Sequence, residues 1–398
     1  MKTIKKLFWF TKGMLANLIY GFPSRKLFLI GVTGTDGKTT TTVLIHHLLK
    51  QNGYKASYIS TVGAEIAGKK QDLGYHVTTP RFFALQKMLR QSLKQNYKYM
   101  VLEVTSHAID QLRICGCSFE IAVLTNIAEE HLDYHRNYQN YAKTKIKLLN
   151  KAKIAVVNKE AETYYRYHKL IKNKNLWTTA VLKKANFRYP DLLKAGLKDT
   201  FVGFEKENIV LAYAVGNLLG IKKTQSIQAF NRFKRVKGRF DHFYLNGYQF
   251  LVDFAHTPNA FRKLFQAIRQ ELKYKRLIHV FGCAGERDQY KRVKMGQLSA
   301  SHADLIILTE EDYRREKIET IFQDIEKGIK KVPTHVKDQT YFQVENRQKA
   351  IELALKKAKH SDLILLTGKA HEPSLARGHQ EYAWDEYKAI EKAFKTTV

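Results

Sequence analysis

Short apolar runs alternate along the chain with segments in which apolar residues recur at helical spacing. Six runs are typical of buried strands. They are YKYMVLEV (97–104), IAVLTNI (121–127), AKIAVVN (152–158), LIHVFG (277–282), DLIILT (304–309) and DLILLT (362–367). Between them, segments such as 41–51 carry apolar residues three and four positions apart, which indicates amphipathic helices. Buried strands separated by helices predict an α/β fold with mainly parallel sheets and right-handed crossovers.

A basic stretch, FKRVKGRFDHF at 233–243, interrupts this alternation before a new strand, YQFLVDFA. Only six prolines are present, so other linkers are hard to see. We therefore expect three parts: a basic, apolar N-terminal segment at 1–30, a central α/β domain at 31–237, and a C-terminal, Rossmann-like α/β domain at 238–398.

Composition narrows the class of protein. Hydrophobic residues make 44% of the chain and charged residues 26%, which is typical of soluble globular proteins. Cys115, Cys117 and Cys283 are too few for a disulfide framework or a four-ligand zinc site, which fits a reducing cytoplasm. The net charge of +31 favours polyanionic partners such as nucleotides, nucleic acid or anionic lipid, or else reflects a lysine-rich proteome.

The N-terminal segment combines lysines with aromatic and aliphatic residues and contains no acid before Asp36. Its run LFWFTKGMLANLIYGF is too short and too interrupted for a spanning helix, which needs about 20 apolar residues. It also lacks a small-residue cleavage site, so a secretory signal is not expected. Two interpretations stay open: a helix lying in a membrane interface, which predicts peripheral contact through residues 1–30, or a helix that caps the first domain.

The stretch LFLIGVTGTDGKTTTT at 27–42 joins an apolar run to a glycine-rich turn, a Lys-Thr pair and a helical pattern. Backbone N–H groups of such a turn and the positive end of the following helix bind phosphates, so the central domain is predicted to carry a P-loop. Lys38 is expected to reach the β- and γ-phosphates of ATP, and Thr39 to hold Mg²⁺. The spacing is a variant, because Gly31 stands six positions, rather than five, before Gly37.

A carboxylate on a neighbouring strand should complete such a metal site. Glu103 ends the apolar run YMVLE and is the expected Mg²⁺-side residue. The alternative is an ordinary glutamate at the end of a strand.

The loop and five further strings, in order along nearly the whole chain, resemble those of the Mur ligases, the ATP-dependent amino-acid ligases of peptidoglycan synthesis. The five strings are EVTSHAIDQLR (103–113), LTNIAEEHLDYH (124–135), VDFAHTPNA (252–260), FGCAGERDQYKR (281–292) and GKAHE (368–372). They are similar to the MurE type, which adds the third residue, usually meso-diaminopimelate or lysine, to UDP-MurNAc-L-Ala-D-Glu.

The resemblance implies ATP and Mg²⁺ as cofactors and an acyl-phosphate mechanism. ATP phosphorylates the D-glutamyl carboxylate, the incoming amine attacks the acyl phosphate, and the tetrahedral intermediate collapses to amide, ADP and phosphate. Basic residues and the metal are needed because the γ-phosphate and the attacking carboxylate repel each other.

The resemblance also implies the catalytic and metal-side residues. These are Lys38, Thr39, Glu103, His131 and Lys145. Lys145 in YAKTKIKLL aligns with a lysine that the family carbamylates to hold a second Mg²⁺, although Lys143 and Lys147 are near. Without carbamylation it would be another lysine on a basic helix.

Three binding sets follow from the same resemblance. Nucleotide contacts are expected from Gly34, Thr35, Gly37, Lys38, Thr39 and Thr40 in the loop and, on the second domain, from Asn208, Arg239, Asp253 and His256. Contacts to the sugar-peptide are expected from Thr78, Thr79, Thr105, Gln111 and Arg113. Contacts to the amino acid are expected from Arg287, Asp312, Arg314, Gly368 and Glu372. Arg239 is expected to reach the γ-phosphate on domain closure, and any one of the sugar-peptide residues has loop capping as its alternative role.

The amino-acid set departs from the family pattern, because D-N-P-R of diaminopimelate enzymes reads E-D-Y-R at 311–314. Arg314 is retained, and a buried arginine facing lysine would lose a charged partner, at a cost of about 2–3 kcal/mol. Diaminopimelate is therefore expected over lysine, although Asp312 would add negative charge near the ligand's carboxylate.

A second departure concerns the acceptor. MurE proteins begin with a UDP-gripping domain, whereas the phosphate loop here begins about 30 residues into the chain, so that domain is expected to be missing. The alternatives are a related ligase acting on a lipid-linked muropeptide or another glutamyl acceptor, a nucleic-acid-stimulated P-loop ATPase, and a scaffold without catalysis. No aromatic–basic RNA-binding signature is present, so nucleic acid is not expected. The expected location is the cytoplasm, with a peripheral position at the inner face of the membrane as an option.

Overall fold

The structure is a computed structural model that describes residues 2–128 and 130–397. It divides into two compact units, one ending at Lys234 and the other beginning at Arg235.

Helices and strands alternate through most of the first unit. Its helices are α1 (Lys2–Tyr20), α2 (Lys38–Gln51), α3 (Phe82–Lys94), α4 (Ser106–Asp110), α5 (Leu132–His135), α6 (Tyr138–Lys151), α7 (Glu162–Tyr167), α8 (Tyr189–Leu193), α9 (Gly203–Leu218) and α10 (Lys223–Asn231). Its strands are β1 (Phe28–Thr33), β2 (Ala56–Ser60), β3 (Gly63–Ile66), β4 (Lys69–Gln71), β5 (Tyr99–Glu103), β6 (Ile121–Leu124), β7 (Ile154–Asn158), β8 (Leu176–Ala180) and β9 (Phe187–Arg188).

The second unit repeats this alternation on a smaller scale. Its helices are α11 (Pro258–Glu271), α12 (Tyr290–Ala300), α13 (Ile318–Ile329), α14 (Arg347–Lys357) and α15 (Glu386–Thr397). Its strands are β10 (Asp241–Leu245), β11 (Tyr248–Asp253), β12 (Leu277–Phe281), β13 (Leu305–Leu308), β14 (Tyr341–Gln343), β15 (Leu363–Thr367), β16 (Ser374–Arg377) and β17 (Gln380–Ala383).

The first unit is built on one sheet with the order β4-β3-β2-β5-β1-β6-β7-β8-β9. In the sheet, the seven neighbouring strands β2-β5-β1-β6-β7-β8-β9 pair in parallel. At one edge, β2, β3 and β4 form an antiparallel meander. Side chains of β1 alternate between the two faces, so that Leu29 joins the core with α3 and α6 while Ile30 and Val32 join the core with α2 and α9. Two-sided burial explains why these strands are continuous apolar runs.

The second unit has a smaller sheet with the order β10-β11-β15-β12-β13-β14. All pairs are parallel except the edge pair β10–β11, and β16 and β17 form a separate antiparallel hairpin. The predicted α/β class, with mainly parallel sheets in a P-loop unit and a Rossmann-like unit, is confirmed.

One predicted strand ends three residues before the end of the apolar run that indicated it. The run 121–127 leaves the sheet after Leu124, although its last three residues include Ile127, which is buried. The Thr125 N–H still donates to Thr33 O of β1 at 3.0 Å, but the Thr125 hydroxyl and the Asn126 side chain bond to the 34–37 loop. Competing tertiary hydrogen bonds thus ended a strand that periodicity alone would have extended.

The N-terminal segment forms α1, a continuous helix that packs against α3 of the same unit. Across residues 2–128 and 130–397, the structure contains no helix with the length and apolar character needed to cross a membrane.

A fully buried ion pair ties α14 to α15 in the second unit. The guanidinium of Arg347 donates to both carboxylate oxygens of Glu386, at 2.5 Å from Nη2 to Oε1 and 3.0 Å from Nε to Oε2. Neither side chain is exposed to solvent, and Arg347 also donates to the carbonyl of Thr367 at 2.9 Å. Such a pair is costly to break by removing one partner, because the other charge stays buried.

We expect Glu386→Gln to destabilise the protein by about 3–5 kcal/mol, since it leaves the Arg347 guanidinium without a counter-charge. Urea unfolding followed by circular dichroism measures the change. Asp191→Asn is the matched control, because the Arg188–Asp191 pair is solvent-exposed at both ends and such pairs contribute little. Equal unfolding midpoints for the two variants would contradict the prediction.

Candidate functional site

The loop at 34–37, between β1 and α2, has no room for side chains at its two glycines. Gly34 has φ +154°, and a Cβ there would lie 1.8 Å from Thr125 Oγ1. Gly37 has φ +79°, and a Cβ there would lie 2.5 Å from Asn208 Oδ1. The loop backbone is therefore bare, as close approach to a phosphate requires.

Hydrogen bonds from the segment after β6 hold this loop in place. Thr35 N donates to Asn126 O at 2.9 Å, Asp36 N donates to Asn126 Oδ1 at 3.1 Å, and Thr125 Oγ1 donates to Asp36 O at 2.6 Å. The N-cap of α2, Gly37, makes no side-chain cap, so the helix N-terminus keeps its N–H groups for a ligand. This geometry fits a bound phosphate.

The cationic and hydroxyl side chains of the loop lie close to its backbone. Lys38 Nζ donates to Thr35 O at 2.6 Å. The Thr35 hydroxyl lies 3.1 Å from Tyr141 Oη, and Thr40 is buried in the first turn of α2. The Lys38 ammonium thus lies against the loop backbone and gives the loop a positive charge.

Glu103 meets the loop through Thr39. The register of β1 and β5 pairs Val32 with Glu103, which brings the carboxylate beside the loop. Thr39 Oγ1 donates to Glu103 Oε2 at 2.9 Å, and Thr61 donates from its N–H at 3.0 Å and its hydroxyl at 3.1 Å. The Thr61 hydroxyl also lies 3.0 Å from that of Thr78. A buried carboxylate beside a P-loop threonine is the arrangement in which P-loop proteins hold Mg²⁺.

The other predicted sugar-peptide residues brace one another in the same unit. Thr79 Oγ1 donates to Glu103 O at 2.8 Å and accepts from Thr105 N at 3.1 Å. Arg113 donates to Thr79 O at 2.8 Å and, through Nε and Nη2, to Gln111 Oε1 at 3.0 and 2.8 Å. The Thr105 hydroxyl caps α4, which is the capping role left open by the sequence. Five residues from three segments therefore form one cluster next to Glu103.

Lys145 approaches the loop from α6. Its side chain is 1% exposed, its Nζ donates to Gly34 O at 2.5 Å, and it lies 4.5 Å from the centre of the Tyr141 ring. Burial, and secondarily the charge of Lys38, hold the pKa of Lys145 well below its usual value. Lys143 and Lys147 are exposed on the opposite side of the helix turn. Burial thus distinguishes Lys145 from its two neighbours.

His131 lies near α6, with its ring centre 6.2 Å from that of Tyr141, and its backbone is in the left-handed conformation with φ +56°. Its Nε2 is 3.6 Å from Glu130 Oε2, and its ring lies 4.8 Å from that of His107. Burial lowers the pKa of His131 to about 3 despite the opposing effect of Glu130. The imidazole is therefore neutral at physiological pH, which is the form that binds metals.

Several residues that contact the candidate site residues were not singled out from the sequence. They are Thr61, Asn126, Glu130, Tyr141 and Lys369. Glu130 occupies the aspartate position of the matched T-N-x-x-x-D-H string, and Tyr141 precedes Lys145 by one helical turn, so both had a signal. Thr61 had none, because its role depends on sheet order.

Asn208 was expected on the second domain, and that expectation is wrong. It lies on α9 of the first unit, and its Oδ1 accepts from Thr41 Oγ1 at 3.2 Å. Helix α9 packs directly on α2, and the missing side chain of Gly37 lets Asn208 approach the loop. The residue therefore belongs to the loop's own unit.

In the second unit, Asp253 organises backbone rather than presenting a free carboxylate. Its Oδ2 accepts from Phe240 N and its Oδ1 from Ala255 N, both at 2.7 Å. These bonds join the segment before β10 to the end of β11. Asp253 thus shapes the surroundings of Arg239 and His256.

Arg239 and His256 both lie against Phe254. The guanidinium is 4.6 Å from the Phe254 ring and donates to His371 Nδ1 at 3.1 Å. His256 Nδ1 lies 2.8 Å from Phe254 O, and its own carbonyl accepts from Lys291 at 2.7 Å. Arg239 is thereby linked to the GKAHE string, which contains His371.

Lys369 of that string joins two of the predicted amino-acid residues. Its fully buried Nζ donates to Asp312 Oδ1 at 2.8 Å and to Glu372 Oε2 at 2.6 Å. Burial disfavours the charge, but Glu372 and Asp312 raise the pKa of Lys369. The extra negative charge expected from Asp312 is therefore compensated by a lysine.

The three remaining residues lie on loops at one end of the smaller sheet. Arg314, at φ +53°, donates to Gly285 O at 2.8 Å, which links its loop to the one that carries the exposed Arg287. Gly368 has φ +98°, and a Cβ there would lie 2.8 Å from Glu311 Oε2. The second unit thus gathers Arg314, Gly368 and the Asp312–Lys369–Glu372 triad, all from loops that follow parallel strands.

Comparison with known proteins gives a consistent result. Residues 32–215 match the Mur ligase middle domain, and residues 232–370 match the Mur ligase glutamate ligase domain. A UDP-N-acetylmuramoyl-L-alanyl-D-glutamate–2,6-diaminopimelate ligase of Thermosynechococcus vestitus is 34% identical over 96% of this chain and 80% of its own length. A UDP-N-acetylmuramyl-tripeptide synthetase of Borreliella burgdorferi is 33% identical over 95% of this chain and 78% of its own length. These matches confirm the resemblance to MurE-type proteins.

Solved structures agree with this fold. That of a UDP-N-acetylmuramoyl-L-alanyl-D-glutamate–2,6-diaminopimelate ligase superposes with a TM-score of 0.59 at 26% identity, covering 93% of this chain and 78% of that one. A Mycobacterium tuberculosis folylpolyglutamate synthase, solved with ADP and AMPPCP, superposes with a TM-score of 0.72 at 16% identity, covering 91% and 93%. The second likeness concerns the fold alone.

We expect Gly34→Ala to weaken binding of Mg-ATP by about tenfold or more, because its Cβ would displace the loop from Thr125. Equilibrium binding of a fluorescent ATP analogue measures the effect. Gly203→Ala is the matched control, since a Cβ there meets no atom within 4 Å. Unchanged affinity in a correctly folded Gly34→Ala protein would contradict the proposed role of the loop.

Proposed function

The chain belongs to the Mur ligase family, and on that premise we propose that it is an ATP-dependent ligase of peptidoglycan synthesis. It joins a diamino acid to the D-glutamyl carboxylate of a UDP-MurNAc-L-Ala-D-Glu-like acceptor. The observation that carries the proposal is the convergence on one phosphate loop of a buried carboxylate, Glu103, through Thr39, and a buried lysine, Lys145, through Gly34 O.

The reaction needs an activated carboxylate, because hydroxide is a poor leaving group. A carboxylate oxygen of the acceptor attacks the γ-phosphorus of ATP and ADP leaves. The amine of the diamino acid then attacks the acyl carbon, loses a proton, and phosphate leaves. Two anions must approach each other in the first step, so positive charge around the loop lowers its barrier.

The loop residues divide this work. Bare backbone at Gly34 and Gly37 accommodates the phosphates, with Thr35 and Thr40 shaping the turn, and Asn208 supports it from α9. Lys38 neutralises the β- and γ-phosphates. Thr39 and Glu103 would hold Mg²⁺, which would offset the negative charge of the phosphates.

Lys145 serves as a carbamate. Burial and the charge of Lys38 lower the pKa of its amine well below the usual value, which favours the neutral, nucleophilic form. Addition of its nitrogen to CO₂ with loss of a proton gives a carbamate, which replaces an unfavourable buried cation beside Lys38 with an anion. Together with the neutral imidazole of His131, that anion would hold a second Mg²⁺ near the acyl centre.

Residues 31–237 bind nucleotide and acceptor, and residues 238–398 bind the amino acid. On the acceptor side, Arg113 suits a carboxylate or pyrophosphate group because its planar fork makes paired charge-assisted bonds. Thr78, Thr79, Thr105 and Gln111 surround it. On the second unit, Arg239 and His256 are the proposed nucleotide contacts, and Asp253 holds the backbone around them.

Diaminopimelate is the preferred amino acid. Arg314 and Arg287 bind its distal carboxylate. Glu372, beside Gly368, binds its distal ammonium. Asp312, which replaces the asparagine of D-N-P-R, is paired with Lys369 at 2.8 Å and lies 3.8 Å from Arg314, so its negative charge is compensated within the site. Lysine has no distal carboxylate, so with lysine in the site Arg314 would have no ligand carboxylate to bind.

A lipid-linked muramoyl dipeptide is a second candidate for the acceptor. The feature that favours it is the basic, apolar segment 1–30, whose helix α1 exposes a broad apolar face. The working location would then be the cytoplasm, at the inner face of a membrane. No nucleic acid takes part in either case.

The purified protein, given UDP-MurNAc-L-Ala-D-Glu, Mg-ATP and diaminopimelate, is expected to release phosphate and form the tripeptide. Phosphate release and mass spectrometry of the product measure this, with lysine offered in parallel. If folded protein that binds ATP neither releases phosphate nor forms product with either amino acid, the UDP-linked acceptor would be contradicted. A reconstituted lipid-linked dipeptide would then test the second candidate.

In the same assay, Arg314→Ala is expected to raise the KM for diaminopimelate about tenfold or more, since a charge-assisted contact contributes about 1.5–3 kcal/mol. Arg315→Ala is the matched control, because Arg315 is exposed and pairs with Glu286. Equal effects of the two changes would exclude Arg314 from amino-acid recognition.

Lys145→Ala is expected to lower kcat by about a hundredfold or more, as loss of a charged group in phosphoryl transfer does. Added formate or acetate should restore part of the activity by supplying the missing carboxylate. Lys143→Ala, two residues away and exposed, is the matched control and should leave kcat unchanged. The carbamate would be contradicted if Lys145→Ala kept full activity. It would also be contradicted if formate or acetate restored no activity at any concentration.

A further inference from the structure

One side of α1 presents a broad apolar face to solvent. Its members are Ile4, Leu7, Phe8, Leu15, Leu18 and Ile19, which are between 50% and 74% exposed. They recur three, four and seven positions apart, so they share one side of the helix. An exposed apolar area of this kind on a folded protein marks a surface that something covers.

The opposite side of α1 is anchored to the first unit. Asn17 Nδ2 donates to Cys115 O at 2.7 Å, and a Cβ on Gly13 would lie 2.9 Å from Cys115 Cβ. Ala16 is fully buried beside them. Because this side is packed on α3 and the turn at 112–117, the orientation of the apolar face is set by the fold.

Lysines stand at one margin between the packed and the apolar sides. At about 100° per residue, Lys5 and Lys12 lie at that margin, whereas Lys6 lies on the packed side near Asn17. The Lys12 ammonium is 4.1 Å from the Phe8 ring. The nearest acid to any of them is Asp110, 3.8 Å from Lys6, and no acid occurs before Asp36. The margin is thus cationic, with long side chains that can extend to a charged layer.

The chemistry of this face suits lipid better than protein. Thr11, the one hydroxyl within it, already donates to Phe8 O at 3.0 Å, so the face offers only non-directional apolar contact. Protein–protein interfaces are depleted in lysine, whereas helices that lie in a bilayer surface have lysine beside aromatic and aliphatic residues. Helix α1 does not meet the requirements of a spanning helix, so it would lie on the surface.

We propose that the apolar face of α1 docks on the surface of a bilayer that contains anionic lipid. The packed side of α1 lies next to the acceptor side of the first unit, because Lys6 pairs with Asp110 and Asn17 bonds to Cys115, which bracket Gln111 and Arg113 in the chain. Docking of the opposite, apolar face would therefore bring this part of the first unit, with Gln111 and Arg113, near the bilayer. That consequence rests on the proposed function, in which these two residues bind the muramoyl dipeptide. The docking itself does not.

Flotation of the full chain with vesicles tests the proposal. The protein is expected to float with phosphatidylcholine vesicles in which roughly a third of the lipid is phosphatidylglycerol, and much less with phosphatidylcholine alone. The triple variant Leu7→Gln, Leu15→Gln, Leu18→Gln should weaken the binding about tenfold or more. Leu182→Gln, which alters another highly exposed leucine, is the matched control and should bind like the unmodified protein.

A charge variant tests the cationic margin. Lys5→Gln with Lys12→Gln should weaken binding to anionic vesicles and reduce its dependence on salt. Lys349→Gln with Lys356→Gln removes the same charge from two exposed positions of α14 in the second unit and should have little effect. Equal losses in both pairs would show non-specific attraction by net charge and would overturn the proposal.

Two other outcomes would also overturn it. One is vesicle binding that the leucine triple variant leaves unchanged. The other is absence of vesicle binding together with a dimer that the triple variant converts to a monomer, which would assign the face to a second copy of the chain. Melting temperature and ligation of the soluble acceptor are measured for every variant, so that failure of docking is distinguished from failure of folding or of the proposed activity.

Discussion

The loop at 34–37 leaves no space for side chains at Gly34 and Gly37, and the surrounding structure is arranged around that constraint. Thr125 and Asn208 fill the space that the two absent Cβ atoms leave. The Gly34 carbonyl accepts from Lys145, and Thr39, two residues after Gly37, donates to Glu103. The bare loop therefore positions both the carboxylate and the lysine of the proposed metal sites.

Two buried lysines show how the fold sets charge. Lys145 bonds to a carbonyl near another lysine, and its pKa is held well below the usual value. Lys369 bonds to two carboxylates, and its pKa is raised. The first environment favours the neutral amine that the proposed addition to CO₂ needs, whereas the second favours the cation, which compensates Asp312. One residue type thus serves opposite roles because its neighbours differ.

Much of the architecture was accessible from local pattern. The apolar runs that became β5, β7, β12, β13 and β15 are buried on both faces, so each strand can be predicted from its own residues. The phosphate loop can be predicted as well, because its residues are consecutive in the chain. The run at 121–127 was over-extended, since hydrogen bonds to Asp36 end β6. The small strands β3, β4 and β9 had no comparable signal.

The sequence by itself determined the α/β class, the phosphate loop, the family and the candidate residues, because these depend on periodicity and on short contiguous strings. The tertiary structure decided which of three neighbouring lysines is buried, that Asn208 belongs to the first unit, and that Asp312 is paired. Each of those facts depends on residues far apart in the chain: 111 positions separate Lys145 from Gly34, and 167 separate Asn208 from Thr41. Contacts at such distances are made by the packing of whole elements, which no local pattern encodes.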